Sequence, residues 1–159
     1  MSWPEPVERV SAVLRGAAVE ARIEEFPGGT PTAREAAAAV GCDLSQIVKS
    51  LVFVCDGAFV LVLVPGDRRA DERAVGAAVD AQLVRVARPG EVLHATGFEP
   101  GAVAPFPQRA VTQTLMDPSF FAHEVVWIGA GSKSHLASIT PNELLRLACA
   151  RAVNLSGHG

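Results

Sequence analysis

The sequence predicts an α+β fold: a single domain, residues 1–159, with a mixed, barrel-like β-sheet surrounded by helices. Three observations carry that expectation. Asp56-Gly57 separates two β-rich apolar runs, Ser50–Cys55 and Ala58–Val64. Asp-Gly in that setting specifies a tight hairpin, because a type I′ turn needs positive φ at both central residues. The second run is apolar throughout, FVLVLV after Ala58, which calls for cover on both faces. Helix-capping patterns at Ser2–Glu5, Thr32–Glu35 and Thr140–Glu143 then place helices around a strand-rich middle.

In chain order, Ser2 is read as the cap of a first helix, with Pro4 in an early position. Trp3, Val7, Val10 and Leu14 recur at helical spacing until Gly16 ends the pattern. Ala21–Phe26 reads as a short strand stopped by Pro27-Gly28-Gly29. Thr32 opens an alanine-rich helix ending at Gly41, and Leu44–Val48 adds a helical turn before the hairpin. Beyond it, Pro65-Gly66 breaks the strand. Asp71 caps a helix with Ala74, Val75, Ala78 and Val79 inward. Leu83–Ala87 is a short strand and Pro89–His94 a short helix. Gly97–Phe106 holds two glycines and two prolines, and its Phe and Val content marks it as an ordered loop. Ala110–Leu115 is a strand and Asp117-Pro118 starts a turn. Glu124–Ile128 is a strand running into Gly129-Ala130-Gly131-Ser132, and His135–Ile139 is the last strand. Thr140 caps a closing helix whose inner face is Leu144, Leu147 and Ala148. The tail, Asn154–Gly159, is expected to fray.

Composition excludes several function classes. With 159 residues, 49% of them hydrophobic and 19% charged, the chain reads as one globular domain with a full core. No apolar run approaches the ~20 residues of a membrane helix, so no membrane partner is expected. The N-terminus lacks the basic and apolar regions of a signal peptide. Cys42, Cys55 and Cys149 are odd in number and unspaced, which fits a reducing cytoplasm and argues against disulfides or a zinc site. The histidines, His94, His123, His135 and His158, show no metal-ligand spacing. There is no GxSxG elbow and no GxGxxG, so neither metal nor cofactor is expected. A net charge of −3 argues against a strongly basic nucleic-acid binder. Arg68, Arg69 and Arg73 form the one compact basic cluster, either a solvated helix start or a phosphate contact.

Three places remain as site candidates. Lys49 is one of two lysines, with Lys133, among 14 basic residues. An ammonium beside an apolar sheet loses hydration and can orient a carbonyl or stabilise an oxyanion. The same residue also reads as a snorkelling surface lysine. The turn Gly129, Ala130, Gly131, Ser132 can bring backbone N–H groups to a ligand, or can simply be a tight turn. Asp117 is a carboxylate near a site or a turn starter.

Taken together, IVKSLVF, LVLVPGDRRAD, TGFEPGAVAPF, TLMDPSF and IGAGSKSHL closely resemble the YbaK/ProX superfamily of aminoacyl-tRNA deacylases, free-standing relatives of the prolyl-tRNA synthetase editing insertion domain. The resemblance covers roughly Thr32 to Leu147. It implies a trans-editing hydrolase that removes a wrong amino acid from the 3′ end of tRNA; the stiff loops Gly97–Phe106 and Gly129–Ser132, rich in glycine and proline, set the expectation that it is a small one (Ala, Cys, Ser or Thr class). It further implies that Lys49 binds the phosphate or carbonyl end of the aminoacyl-adenosine. By position, Gly97, Pro100, Gly101 and Pro105 match a GxxPGxxxP loop shaping the pocket. Gly129, Gly131 and Ser132 match a GxG[ST] turn, and Asp117 matches a recurring acidic position. The implied partners are the aminoacyl-tRNA 3′ end and an aminoacyl-tRNA synthetase. An aminoacyl ester is already activated, so the lack of a triad or metal set agrees with this chemistry. The alternative is a non-catalytic tRNA- or synthetase-binding module of the same fold.

Overall fold

The computed structural model describes residues 3–19 and 21–156. Helix α1 (Glu5–Gly16) buries Val7, Val10 and Leu14, as the helical spacing requires. Ser2, its predicted cap, lies outside the described residues, and Pro4 occupies the cap position. Strand β1 (Ile23–Glu25) follows, then α2 (Ala33–Val40), which begins where the Thr32 hydroxyl accepts the Glu35 amide. A 3-10 turn, Leu44–Gln46, leads into the hairpin of β2 (Val48–Cys55) and β3 (Ala58–Pro65). Asp56 and Gly57 have φ of 48° and 86°, the two positive values a type I′ turn demands. Next come α3 (Glu72–Val79), β4 (Val84–Val86), α4 (Pro89–Thr96) and β5 (Val111–Met116). After a 3-10 turn at Pro118–Ala122 come β6 (Val126–Gly129), β7 (His135–Ile139), α5 (Pro141–Leu147) and β8 (Ala150–Ala152).

The expectation of a barrel-like sheet is overturned. The strands form two open sheets, a five-stranded one in the order β4-β2-β3-β5-β8 and a three-stranded one in the order β1-β7-β6. The larger is mixed: β3 runs antiparallel to β2 but parallel to β5, and β5 is parallel to β8. Between the sheets, one isolated bridge, Ile47 to Trp127, is formed. The barrel expectation came from a strand-rich, hairpin-joined middle of the chain, but those strands divide between two layers, and the two-sided burial of β3 follows from that. Leu61 and Leu63 pack with α1, α5 and the small sheet, whereas Val60, Val62 and Val64 pack with Val75 of α3 and Leu155. A central strand between two layers is covered as completely as a barrel stave.

Two further differences lie at the C-terminus. Strand β8 escaped the sequence reading; it is short and carries Arg151. The expected fraying of Asn154–Gly159 fails for its described part. Leu155 is fully buried, its carbonyl accepts the Asp71 amide, and Ser156 bridges to Ala70. The Gly97–Phe106 loop is ordered as expected, with Phe98, Ala104 and Phe106 in the main core.

Candidate functional site

The seam between the two sheets opens into a cleft of about 360 Å³. Its walls come from four places in the chain: Thr30–Ala33 with Ala36, Ile47–Leu51, Gly101–Val103, and Trp127 and Gly129 with Ser132 and Leu136. The Ile47–Trp127 bridge holds the residue that leads into β2 against β6, so Lys49 stands at the junction. Gly129 is required by the approach of two loops: a Cβ there would meet the Val103 carbonyl oxygen at 2.9 Å.

Lys49 borders this cleft, and its ammonium donates to the Arg68 carbonyl. Burial pushes its pKa below the ordinary lysine range; the Asp67 carboxylate works against that shift and the Arg69 guanidinium adds to it. One of three ammonium donors is engaged by Arg68, which leaves donors for a ligand. Beside it, the Ser50 hydroxyl at the cleft wall is a buried oxygen with no hydrogen-bond partner among the described residues.

Four of the residues singled out in the sequence line the cleft: Lys49, Gly101, Gly129 and Ser132. The others lie elsewhere. Gly97 ends α4, where its carbonyl accepts Arg9 at 2.7 Å. Pro100 is half-buried outside the lining, and Pro105 belongs to a separate hollow with Phe106, Gln108 and Cys149. Ala130 is fully buried and its amide donates to the His135 carbonyl at 3.0 Å, so that N–H is already taken. Gly131 is pressed against α1, not the cleft: a Cβ there would meet the Pro6 carbonyl oxygen at 2.7 Å.

Asp117 is 2% exposed and accepts hydrogen bonds from the Ser119 and Leu155 amides and the Ser156 hydroxyl. Burial alone would raise its pKa, but donors from Ser156, Ser119 and Leu155 outweigh it, and the carboxyl ends below the ordinary aspartate range. This geometry clamps the C-terminal segment and offers no free oxygen to the cleft.

Sequence reasoning missed Thr30, Ser50, Trp127 and the surroundings of Ser132. The Ser132 hydroxyl is hydrogen-bonded to His135 Nδ1 and accepts the Ser134 amide at 3.1 Å. His135 is 2% exposed, and Glu25, its cross-strand partner, places Oε2 3.2 Å from Nε2. The pair makes an electrostatic contact and not a hydrogen bond. Trp3 packs edge-on against the imidazole with ring centroids 5.2 Å apart. No group of three or more His, Cys, Asp or Glu is arranged to hold a metal among the described residues. No helix among them is long and apolar enough to cross a membrane.

Comparison with known proteins agrees with the geometry. The aminoacyl-tRNA editing domain family matches residues 28–147, which span all four walls of the cleft. An uncharacterized protein of Bacillus subtilis (strain 168), YwhH, is 32% identical over 123 residues, covering 77% of this chain and 78% of that protein. The proline--tRNA ligase of Bacillus pumilus is 37% identical over 123 residues, but these are 73% of this chain and only 21% of the ligase. The matched part thus spans only about a fifth of that ligase. A crystal structure presented as a candidate trans-editing enzyme for prolyl tRNA synthetase superposes with a TM-score of 0.91 at 35% identity, covering 99% of this chain and 100% of that one. On the match over residues 28–147, this chain belongs to the aminoacyl-tRNA editing domain family.

Proposed function

We propose that the protein is a trans-editing hydrolase that deacylates tRNA mischarged with a small amino acid. The observation that carries the reading is Lys49: a partly dehydrated ammonium at the edge of a cleft built by the family's matched segment. Water adds to the ester carbonyl, the tetrahedral oxyanion forms, and the ribose oxygen leaves, giving free amino acid and uncharged tRNA. Lys49 supplies positive charge where negative charge develops, in surroundings drier than bulk water. The rest of the catalysis is positioning, which suffices for an ester already activated by its neighbouring ribose hydroxyl.

Cleft shape supports a small substrate side chain. Its walls include backbone at Gly101–Val103 and Gly129, the Trp127 ring, and buried Ile47 and Val48. Such walls meet extra volume with overlap. Arg68 and Arg69 are exposed on the loop whose carbonyl holds Lys49, well placed for the phosphates behind the terminal adenosine. The resemblance to proline--tRNA ligases supports a proline tRNA as the carrier and a synthetase as the functional neighbour.

The test is single-turnover deacylation across proline tRNAs and others charged with alanine, cysteine, serine, threonine, leucine and phenylalanine. Alanyl, cysteinyl, seryl or threonyl esters are cleaved and leucyl and phenylalanyl esters are spared. Phenylalanyl-tRNA cleaved as fast as alanyl-tRNA removes the small-pocket reading. No cleavage of any ester by folded protein removes the enzyme and leaves the binding module.

A further inference from the structure

Ser132 is the one cleft-lining residue whose hydroxyl is held by a buried imidazole, and the deacylation chemistry above does not use that arrangement. Glu25 and His135 face each other across β1 and β7, so the strand register itself brings a carboxylate to Nε2. Nε2 is buried and has no hydrogen-bond partner among the described residues. A carboxylate 3.2 Å away disfavours a bare lone pair on Nε2 and favours a proton there, which leaves Nδ1 of the neutral ring as an acceptor.

With Nδ1 an acceptor, the Ser132 hydroxyl must donate to it. The Ser134 amide then occupies one lone pair of Ser132 Oγ. The competitor for the second lone pair is the Ser134 hydroxyl, at a long 3.3 Å and equally far from Nδ1. Ser132 is therefore a polarised acceptor with spare capacity, and it borders the cleft. A serine hydroxyl ordinarily serves donors and acceptors alike; with its one proton given to Nδ1, this one can only accept from a further partner.

We propose that Ser132 accepts the α-ammonium group of the aminoacyl ester, and that His135, held by Glu25, is the positioning residue that makes it an acceptor. The proposal rests on the deacylase reading for its substrate and deepens it. The cleft then selects for a free amino terminus: N-blocked aminoacyl esters, such as those on nascent chains, lose the cation, keep a single neutral amide N–H beside a bulky acyl group, and are rejected. The discrimination expected from one charge-assisted hydrogen bond is roughly ten- to a hundredfold.

Two readouts test this. The first is calorimetric binding of the non-hydrolysable 3′-alanylamido-3′-deoxyadenosine against its N-acetyl form. The second is single-turnover cleavage of alanyl-tRNA against N-acetylalanyl-tRNA. Wild type favours the free amine at least tenfold in both, and Ser132→Ala lowers that ratio at least fivefold. Ser132→Thr keeps the ratio. His135→Phe removes the acceptor and lowers it like Ser132→Ala, whereas His135→Asn, whose side-chain oxygen stands near the place of Nδ1, keeps it. A smaller wild-type preference, or an unchanged ratio in Ser132→Ala, overturns the proposal. Amine-selective binding without any cleavage retains the ammonium site and removes the deacylase. Cleavage without amine selectivity does the reverse.

Discussion

Two glycines of the matched loops have opposite meanings, and substituting each with alanine separates fold from site. Gly131 has φ of +104°, and a Cβ there would meet Pro6 O at 2.7 Å, Pro6 C at 2.8 Å and Val7 N at 3.0 Å. All three are backbone atoms at the start of α1, which cannot swing aside like a side-chain tip. The helix must shift, and it carries Val7 and Val10, both fully buried. Strain at positive φ costs about 1–3 kcal/mol, and displacing the helix adds to it. Gly131→Ala should therefore lose about 3 kcal/mol, or roughly 8 °C in Tm for a domain of this size. Gly101 has φ of +82°, but a Cβ there would meet Lys133 Cε at 3.5 Å, an ordinary contact with a movable chain. Gly101→Ala should cost about 1 kcal/mol of stability. Because Gly101 lines the cleft, its methyl misplaces the substrate and slows deacylation roughly tenfold or more. The assays are urea denaturation with a matched m-value and single-turnover deacylation of the folded fraction. If Gly131→Ala is within about 1 kcal/mol of wild type, or Gly101→Ala is the less stable of the two, the reasoning fails.

Lys49→Ala should reduce deacylation about a hundredfold while leaving the far-UV spectrum unchanged, since one cationic donor is worth that much in a transition state; activity within threefold of wild type would refute the role. Because burial lowers the Lys49 pKa, the ammonium is lost at a lower pH than in free lysine, and background-corrected kcat should decline on the alkaline side before about pH 10.4. Asp117→Asn should destabilise the fold by about 2–3 kcal/mol, as an amide cannot accept all three donors. Its lowered carboxyl pKa makes a stability contribution that is present above about pH 4, the unfolded value, and is lost as pH falls through the lower folded value; acid titration of Tm in wild type and Asp117→Asn should converge there. Activity should survive exhaustive chelation within twofold, because no three-ligand set is arranged among the described residues; loss restored by one added metal would count against the mechanism.

Local chemistry was legible in the sequence wherever neighbours along the chain settle it. Asp56-Gly57 specified its turn through the φ values only such residues tolerate. Thr32, Asp71 and Thr140 each cap the helix that follows, because the hydroxyl or carboxylate reaches an amide two or three residues on. His135–Ile139 was read to its observed bounds, and the apolar run of β3 announced burial on both faces. The ordered motif set also identified the family. What the chain could not announce are contacts between segments far apart in it. Two-sided burial looks the same in a barrel and in a layered pair of open sheets, so only the pairing of β1, β7 and β6 apart from β2 decided the architecture. The parallel addition of β8 depends on β5, some 36 residues earlier in the register Thr114 to Ala150, and a three-residue strand carries no period of its own. Asp117 reads as a turn starter, and it is one; its second oxygen grips Leu155 and Ser156 only because the tail returns there. Likewise Glu25, Ser132 and His135 become one chain of contacts through β1–β7 register, and Thr30, Lys49, Gly101 and Trp127 become one cleft through packing. Caps and turns are short-range and set by residue type, whereas a site is set by which surfaces the whole core brings into contact.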